Sequence, residues 1–126
     1  MRLLLDTSIV IWAVESPERL SKRATDALET TENILEISAV SLPETAIKTS
    51  RGKLRVSAAA LRQAIDDLDI RALPDTSHHA FLPFELPLHH RDPFDRQISA
   101  QALAEKIHVV TPDEKFGLYK GLKIVW

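Results

Sequence analysis

The stretch Leu3-Leu4-Leu5-Asp6-Thr7-Ser8-Ile9-Val10-Ile11-Trp12-Ala13 decides the fold class. Three consecutive leucines form a short apolar run of the kind that makes a strand buried on both faces, and Asp6 ends it abruptly. Thr7 or Ser8 is suited to cap a following helix, whose apolar positions include Ile9, Ile11, Trp12 and Ala13. A buried strand running into a helix, with an acid at the junction, is the opening unit of an α/β fold.

The same unit recurs outward from this stretch. Ile34 to Ile37 reads as a second strand, and Ser38 or Ser41 starts a helix through Glu44, Ala46, Ile47 and Lys48. Pro43 is confined to the first turn of that helix, and Gly52 ends it. Ser16-Pro17-Glu18 is a turn, Ser21 caps a helix carrying Ala24, Ala27 and Leu28, and Ser57 opens another with Leu61, Ala64, Ile65 and Leu68 on one face. Ile70 to Leu73 is a weakly signalled third strand, and Thr76 opens a short helix through Ala80 and Leu82. A loop from Pro83 to His90 precedes Asp92-Pro93-Phe94-Asp95, which begins a strong helix to about Glu105. Ile107 to Val110 is the clearest later strand, Pro112 begins a short helix around Lys115 and Phe116, and Lys123 to Trp126 is a candidate fifth strand. Alternating strands and helices predict one α/β domain over residues 1–126, with a mostly parallel sheet of four to five strands covered on both faces.

Composition narrows the function. The 126 residues fit one domain of ordinary size, and a 44% hydrophobic content supports a real core. Sixteen Lys and Arg against 18 Asp and Glu leave a net charge of −2, so any nucleic-acid binding must use a local basic patch. There is no cysteine, which excludes disulfides and thiolate metal sites and is compatible with a reducing cytoplasm. No apolar run reaches the length of a membrane helix, and three leucines are too few for a signal-peptide core. With three glycines and neither GxGxxG nor GxxxxGK, a glycine-rich phosphate loop is excluded.

The acids then stand out by position. In an open parallel sheet, ligands bind beyond the carboxyl ends of the strands. Asp6 directly follows the first strand, and Asp113 follows the fourth by three residues. Glu44 lies about two turns into the helix after the second strand, and Asp95 lies in the first turn of the long helix. Convergence of the four would suit Mg²⁺ or Mn²⁺, which prefer hard oxygen ligands. Such an ion lowers the pKa of a bound water and neutralises phosphodiester charge. Each acid also has a plainer explanation. Asp6 and Asp92 are placed to cap helices, Asp95 favours a helix dipole, Glu44 fits a solvated helix face, and Asp113 fits turn chemistry after Pro112.

Four segments bear on the choice together: LLLDTSIVIWAV at Leu3 to Val14, SAVSLPETAIKTSRGKL at Ser38 to Leu54, HHRDPFDRQISAQALAE at His89 to Glu105, and VVTPDEKF at Val109 to Phe116. In this order they resemble the PIN-domain family, and specifically its bacterial VapC-type toxins. The resemblance implies a three-layer α/β/α fold and Mg²⁺- or Mn²⁺-dependent endonuclease action on RNA. It implies that Asp6, Glu44, Asp95 and Asp113 are catalytic and metal-binding, with Asp92 an additional acid of the HRDPFDR subgroup. It further implies a homodimer held inactive by a small VapB-like antitoxin, whose basic side chain fits an acidic pocket. Two positions depart from the pattern: Pro43 stands where related chains often carry Trp, and Ser8 where this subgroup often carries His.

Other residues take supporting roles. Thr7, Ser8 and Thr111 are hydroxyls beside the acids, placed to bond a carboxylate or a metal-bound water. Arg91 and Arg96 flank Asp92 and Asp95, Lys48 and Arg51 follow Glu44, and Lys115 follows Asp113; these are the candidate RNA contacts. Lys53 and Arg55 read as a solvated face. His89 and His90 suit a loop role or an RNA contact better than metal ligation, because adjacent side chains diverge. His78 and His79 read as surface or helix-start residues, and Trp12 and Trp126 as core or interface packing. Aromatics at 6% argue against a base-stacking platform. Two alternatives remain: a non-catalytic PIN-like module that binds RNA or metal, and a phosphoryl-receiving signalling domain. The latter chemistry wants paired acids after one strand, and Asp6 stands alone.

Overall fold

A computed structural model describes all 126 residues. Its core is a five-stranded, wholly parallel sheet in the order β3-β2-β1-β4-β5. The strands are β1 (Arg2–Leu5), β2 (Ile34–Ser38), β3 (Arg71–Leu73), β4 (His108–Val110) and β5 (Ile124–Val125). The helices are α1 (Thr7–Glu15), α2 (Lys22–Glu29), α3 (Ser41–Ser50), α4 (Ala58–Asp67), α5 (Ser77–Phe81) and α6 (Pro93–Glu105). Short 3₁₀ turns fill Pro17–Arg19, Leu82–Glu85 and Glu114–Leu118.

The three layers follow from the alternation within β1. Leu3 and Leu5 join Ile9, Val10, Ala24, Leu35, Ile37, Leu61 and Ala64 on one face, under α1, α2 and α4. Leu4, pointing the other way, packs with Ile98, Ala102, Val109, Phe116 and Tyr119 under α6 and the 114–118 turn. All three leucines are essentially inaccessible to solvent. This arrangement is what a strand buried on both faces requires. The predicted three-layer α/β/α class is therefore observed, with five strands.

Element starts follow local chemistry. Ser21 and Ser57 accept from the backbone N–H three residues on, at 3.1 and 3.0 Å. Gly52, at φ +70°, follows the end of α3 in the left-handed region, which a glycine adopts without penalty. Three expectations need correction. Neither Thr7 nor Ser8 caps α1: Asp6 holds the N-cap position without a side-chain capping bond, and the Thr7 hydroxyl donates to Glu44 instead. Glu44 lies in the first turn of α3 rather than two turns in, because Ser38 still belongs to β2 and the helix begins at Ser41. His79 takes the helix-start place of its two expected ones and is buried rather than on the surface: it completes a capping box with Thr76, and its Nε2 lies 3.4 Å from Glu105.

Strand order is what positions the site. β1 sits centrally, with the chain passing outward to β2 and β3 and then returning to β4 on the other side. The reversal falls between β1 and β4, the point at which an open α/β sheet presents a crevice at its carboxyl edge. There the Asp6 N–H donates to the Val110 carbonyl at 3.1 Å, so the ends of the two strands are tied together.

Candidate metal centre

Each acid reaches this crevice from a different element. Asp6 leaves the end of β1 and Asp113 the turn after β4, while Glu44 projects from the first turn of α3 and Asp95 from that of α6. Asp6, Glu44, Asp95 and Asp113 line one recess together with Thr7, Ser8, Trp12 and Lys48. Carboxylate oxygens of Glu44, Asp92 and Asp95 lie within 4.8 Å of one another, and so do ligand atoms of His90, Asp95 and Asp113. Asp95 belongs to both sets and stands at the middle of the cluster.

Neighbouring donors fix these carboxylates. The Thr111 hydroxyl donates to Asp6 Oδ2 at 2.8 Å and itself accepts from the Asp113 N–H at 3.0 Å. The Thr7 hydroxyl donates to Glu44 Oε1 at 2.8 Å, and Lys48 Nζ to Glu44 Oε2 at 2.9 Å. Glu44 is buried, yet both of its oxygens are engaged. Asp92 accepts from the Phe94 and Asp95 N–H groups at 2.8 and 3.3 Å, so it caps α6 behind Pro93 while its charge remains beside the cluster. Ser8 lines the recess.

The electrostatics are those of crowded like charges. Burial, followed by the fields of Asp92, Asp6, Glu44 and Asp113, pushes the Asp95 carboxyl up to about 7. Burial likewise raises Asp6; the Thr111 hydrogen bond opposes it and the Glu44 charge adds to it. For Lys48, burial acts downward, but the Glu44 hydrogen bond and the Asp92 and Asp95 charges outweigh it and hold the ammonium above its usual range. One lysine is the only cation inside a five-carboxylate cluster. A set of carboxylate oxygens in which neighbouring charges raise the proton affinity of Asp6 and Asp95 fits a hard divalent cation.

The basic residues divide. Arg51, Arg91 and Lys115 are exposed, as are Lys53 and Arg55, and Lys48 is the basic residue that lines the recess. Lys48 is committed to Glu44. Arg96 does not face outward as expected: its guanidinium donates to the carbonyls of Pro83, Leu86 and Pro87 at 2.7, 3.3 and 2.9 Å, which clamps the loop before α6. Trp12 packs against Trp126 with ring centroids 6.3 Å apart and carries the Arg19 guanidinium over its face at 4.0 Å.

His90 is the residue that sequence reasoning missed. It is buried, with Nε2 2.9 Å from Asp113 Oδ2 and Nδ1 3.0 Å from the Tyr119 hydroxyl. Its place two residues before Asp92 was the available signal; the partners that bury it lie more than twenty residues further on.

A family model for the PIN domain matches residues 3–122. The chain belongs to the PIN-domain family. Among solved structures, it is similar to a chain in the crystal structure of VapBC2 from Rickettsia felis bound to a promoter DNA fragment. That match has a TM-score of 0.74 at 20% identity and covers 98% of this chain and 97% of that one. It is also similar to chains of DNA-bound VapBC from Salmonella typhimurium (TM-score 0.66, 16% identity, 98% and 96% covered) and VapBC-1 from nontypeable Haemophilus influenzae (0.64, 17%, 98% and 96%). At these identities the likeness is one of fold. No curated protein matches the chain.

Proposed function

We propose that residues 1–126 act as one PIN-like unit, a cytoplasmic Mg²⁺- or Mn²⁺-dependent endoribonuclease that serves as the toxin of a toxin–antitoxin pair. The observation that carries this reading is the convergence of Asp6, Glu44, Asp95 and Asp113 on one recess at the sheet's switch point. No purely structural purpose explains carboxylates that destabilise one another's charge. PIN domains are generally nucleases, which agrees with the site.

Asp6, Asp95 and Asp113 are assigned to hold the ion directly or through its waters, and Glu44 to complete the shell or orient the attacking water. When bound, the ion supplies a water of lowered pKa and neutralises charge on the phosphodiester. Thr111 keeps Asp6 turned into the recess, and Thr7 and Lys48 do the same for Glu44. Asp92 adds negative charge and sets the start of α6. Arg51, Arg91 and Lys115 are assigned to grip backbone phosphates, with Lys48 nearest the reacting group. In-line attack by water on phosphorus, with departure of the 3′ oxygen, yields a 5′-phosphate and a 3′-hydroxyl.

A VapB-like antitoxin and a second copy of the chain are the assigned protein partners. The VapBC neighbours support the first. Exposed Phe81, Phe84, Leu88 and Leu118, and an apolar groove lined by Leu42, Ala46, Val56, Leu61 and Ile65, are the apolar surfaces assigned to these partners. No helix is long and apolar enough to cross a membrane.

The test is cleavage of a mixed RNA substrate by purified protein in Mg²⁺, with and without EDTA, beside Asp6→Asn. EDTA and the substitution should each abolish cleavage. Wild-type rates from Asp6→Asn would refute the reading.

A further inference from the structure

His90 has two polar contacts and both are inside the protein. A carboxylate oxygen only accepts, so Nε2 carries the proton that it gives to Asp113 Oδ2. In the neutral ring Nδ1 then accepts from the Tyr119 hydroxyl. The ring is wedged against Phe116, with centroids 4.5 Å apart, and lies nearly parallel to Tyr119 at 19°. His90, Tyr119 and Phe116 are all almost fully buried, at 3%, 1% and 0% exposure. Asp113, in contrast, has a side chain 34% exposed and lines the acidic recess. Its second oxygen accepts from the Lys115 N–H at 3.0 Å, so both oxygens are held.

The consequence is a strut. His90 stands just ahead of Asp92 and Asp95 in the chain, and Phe116 lies within, and Tyr119 at the end of, the 3₁₀ turn that Asp113 caps. The histidine therefore joins the start of α6 to the turn after β4, and thereby sets the separation of Asp95 from Asp113. We propose that His90, oriented by Tyr119, is a positioning residue that holds Asp113 in its ion-binding orientation, and that it is not itself a ligand. The proposal rests on the reading above that Asp113 belongs to the ion-holding set. Direct ligation by His90 would require its Nε2 to leave Asp113, 2.9 Å away, although the ligand atoms of His90, Asp95 and Asp113 lie within 4.8 Å of one another.

The probe is Mn²⁺, titrated into the purified full chain and followed by the electron paramagnetic resonance signal of the free ion. His90→Leu, which removes the donor, should weaken binding by about 10–100-fold, the range for residues that orient metal ligands. Tyr119→Phe should weaken it in the same direction by a smaller factor. His90→Gln, whose amide N–H can reach Asp113, should recover most of the affinity. Spin-echo modulation of the bound ion should show no directly coordinated nitrogen. Wild-type affinity in folded His90→Leu overturns the proposal, and so does a coordinated nitrogen. Should His90→Leu fail to fold, wild-type affinity in Tyr119→Phe overturns it equally. Asp95→Asn separates the two levels. If it loses Mn²⁺ while His90→Leu keeps it, the strut alone is wrong; if Asp95→Asn also binds as wild type, the metal-site reading has failed.

Discussion

Replacing Asp95 with Asn should stabilise the metal-free protein at neutral pH while removing its function. The Asp95 carboxyl is raised to about 7, first by burial and then by Asp92, Asp6, Glu44 and Asp113. In the unfolded chain an aspartate loses its proton near pH 4. Between about pH 4 and 7 the folded state therefore binds more protons than the unfolded state, and stability falls as pH rises through that window. Below it the full stability is present, and above about 7 the loss is complete. Three pH units at about 1.4 kcal/mol each give an upper bound near 4 kcal/mol; because the side chain is only partly buried, screening brings this to about 2 kcal/mol. Asn has no charge to desolvate, so it escapes the loss. At about 3–6 °C per kcal/mol for a chain of this size, Asp95→Asn should melt roughly 6–12 °C above wild type at pH 8 in EDTA. At pH 4 the two should melt together. Excess Mn²⁺ should reverse the order at pH 8, since binding to the folded state stabilises by mass action and only wild type retains the central ligand. Thermal unfolding by circular dichroism at the two pH values provides the measurement. An Asp95→Asn variant no more stable than wild type at pH 8 in EDTA would refute the electrostatic reasoning.

Further outcomes follow from individual contacts. Thr111→Val removes the hydroxyl that donates to Asp6 and accepts from Asp113. It should cost about 1–3 kcal/mol in urea denaturation and about 10–100-fold in RNA cleavage. Arg96→Ala should release the 83–87 segment and expose it to limited proteolysis, while the salt dependence of RNA binding stays unchanged. Arg91→Ala and Lys115→Ala should each lower the slope of log affinity against log salt by about 0.7–0.9, since each is proposed to make one phosphate contact. Lys106, at φ +55° at the end of α6, is held in a backbone region that favours glycine. Lys106→Gly should raise stability by about 0.5–1 kcal/mol, read from the urea midpoint at constant m.

Most of the architecture was legible because short-range chemistry specifies it. Leu3 to Leu5 is an apolar run, and Ile34 to Ile37 and Ile107 to Val110 are mostly apolar segments of strand length, while Asp92-Pro93 marks the start of α6 at its observed residue. Asp6 and Asp95 were legible by position, at a strand end and in a first helical turn, whereas Glu44 was read a turn too deep and, like Asp113, was singled out mainly by the family resemblance. What escaped depended on distant partners. Thr7 reads from sequence either as a cap or as a donor to a carboxylate, and Glu44, 37 residues on, decides between the two. Arg96 looks like a phosphate contact until the loop folds its carbonyls around the guanidinium. His90 looks like a loop residue until Phe116 and Tyr119 bury it. Each assignment turned on a contact that no local pattern encodes.

The pairing of β1 with β4 also has a consequence for timing. The Thr111–Asp6 bond closes a loop of 105 residues, and the neighbouring parallel strands can zip only after both exist. Such long-range parallel pairing forms slowly. During synthesis at about 5–20 residues per second, a nascent chain carries Asp6 and Glu44 well before it carries Asp95, Thr111 and Asp113. An unfinished chain therefore presents scattered acids without a centre. The acidic centre assembles late, once the fourth strand has docked beside the first and Thr111 has reached Asp6.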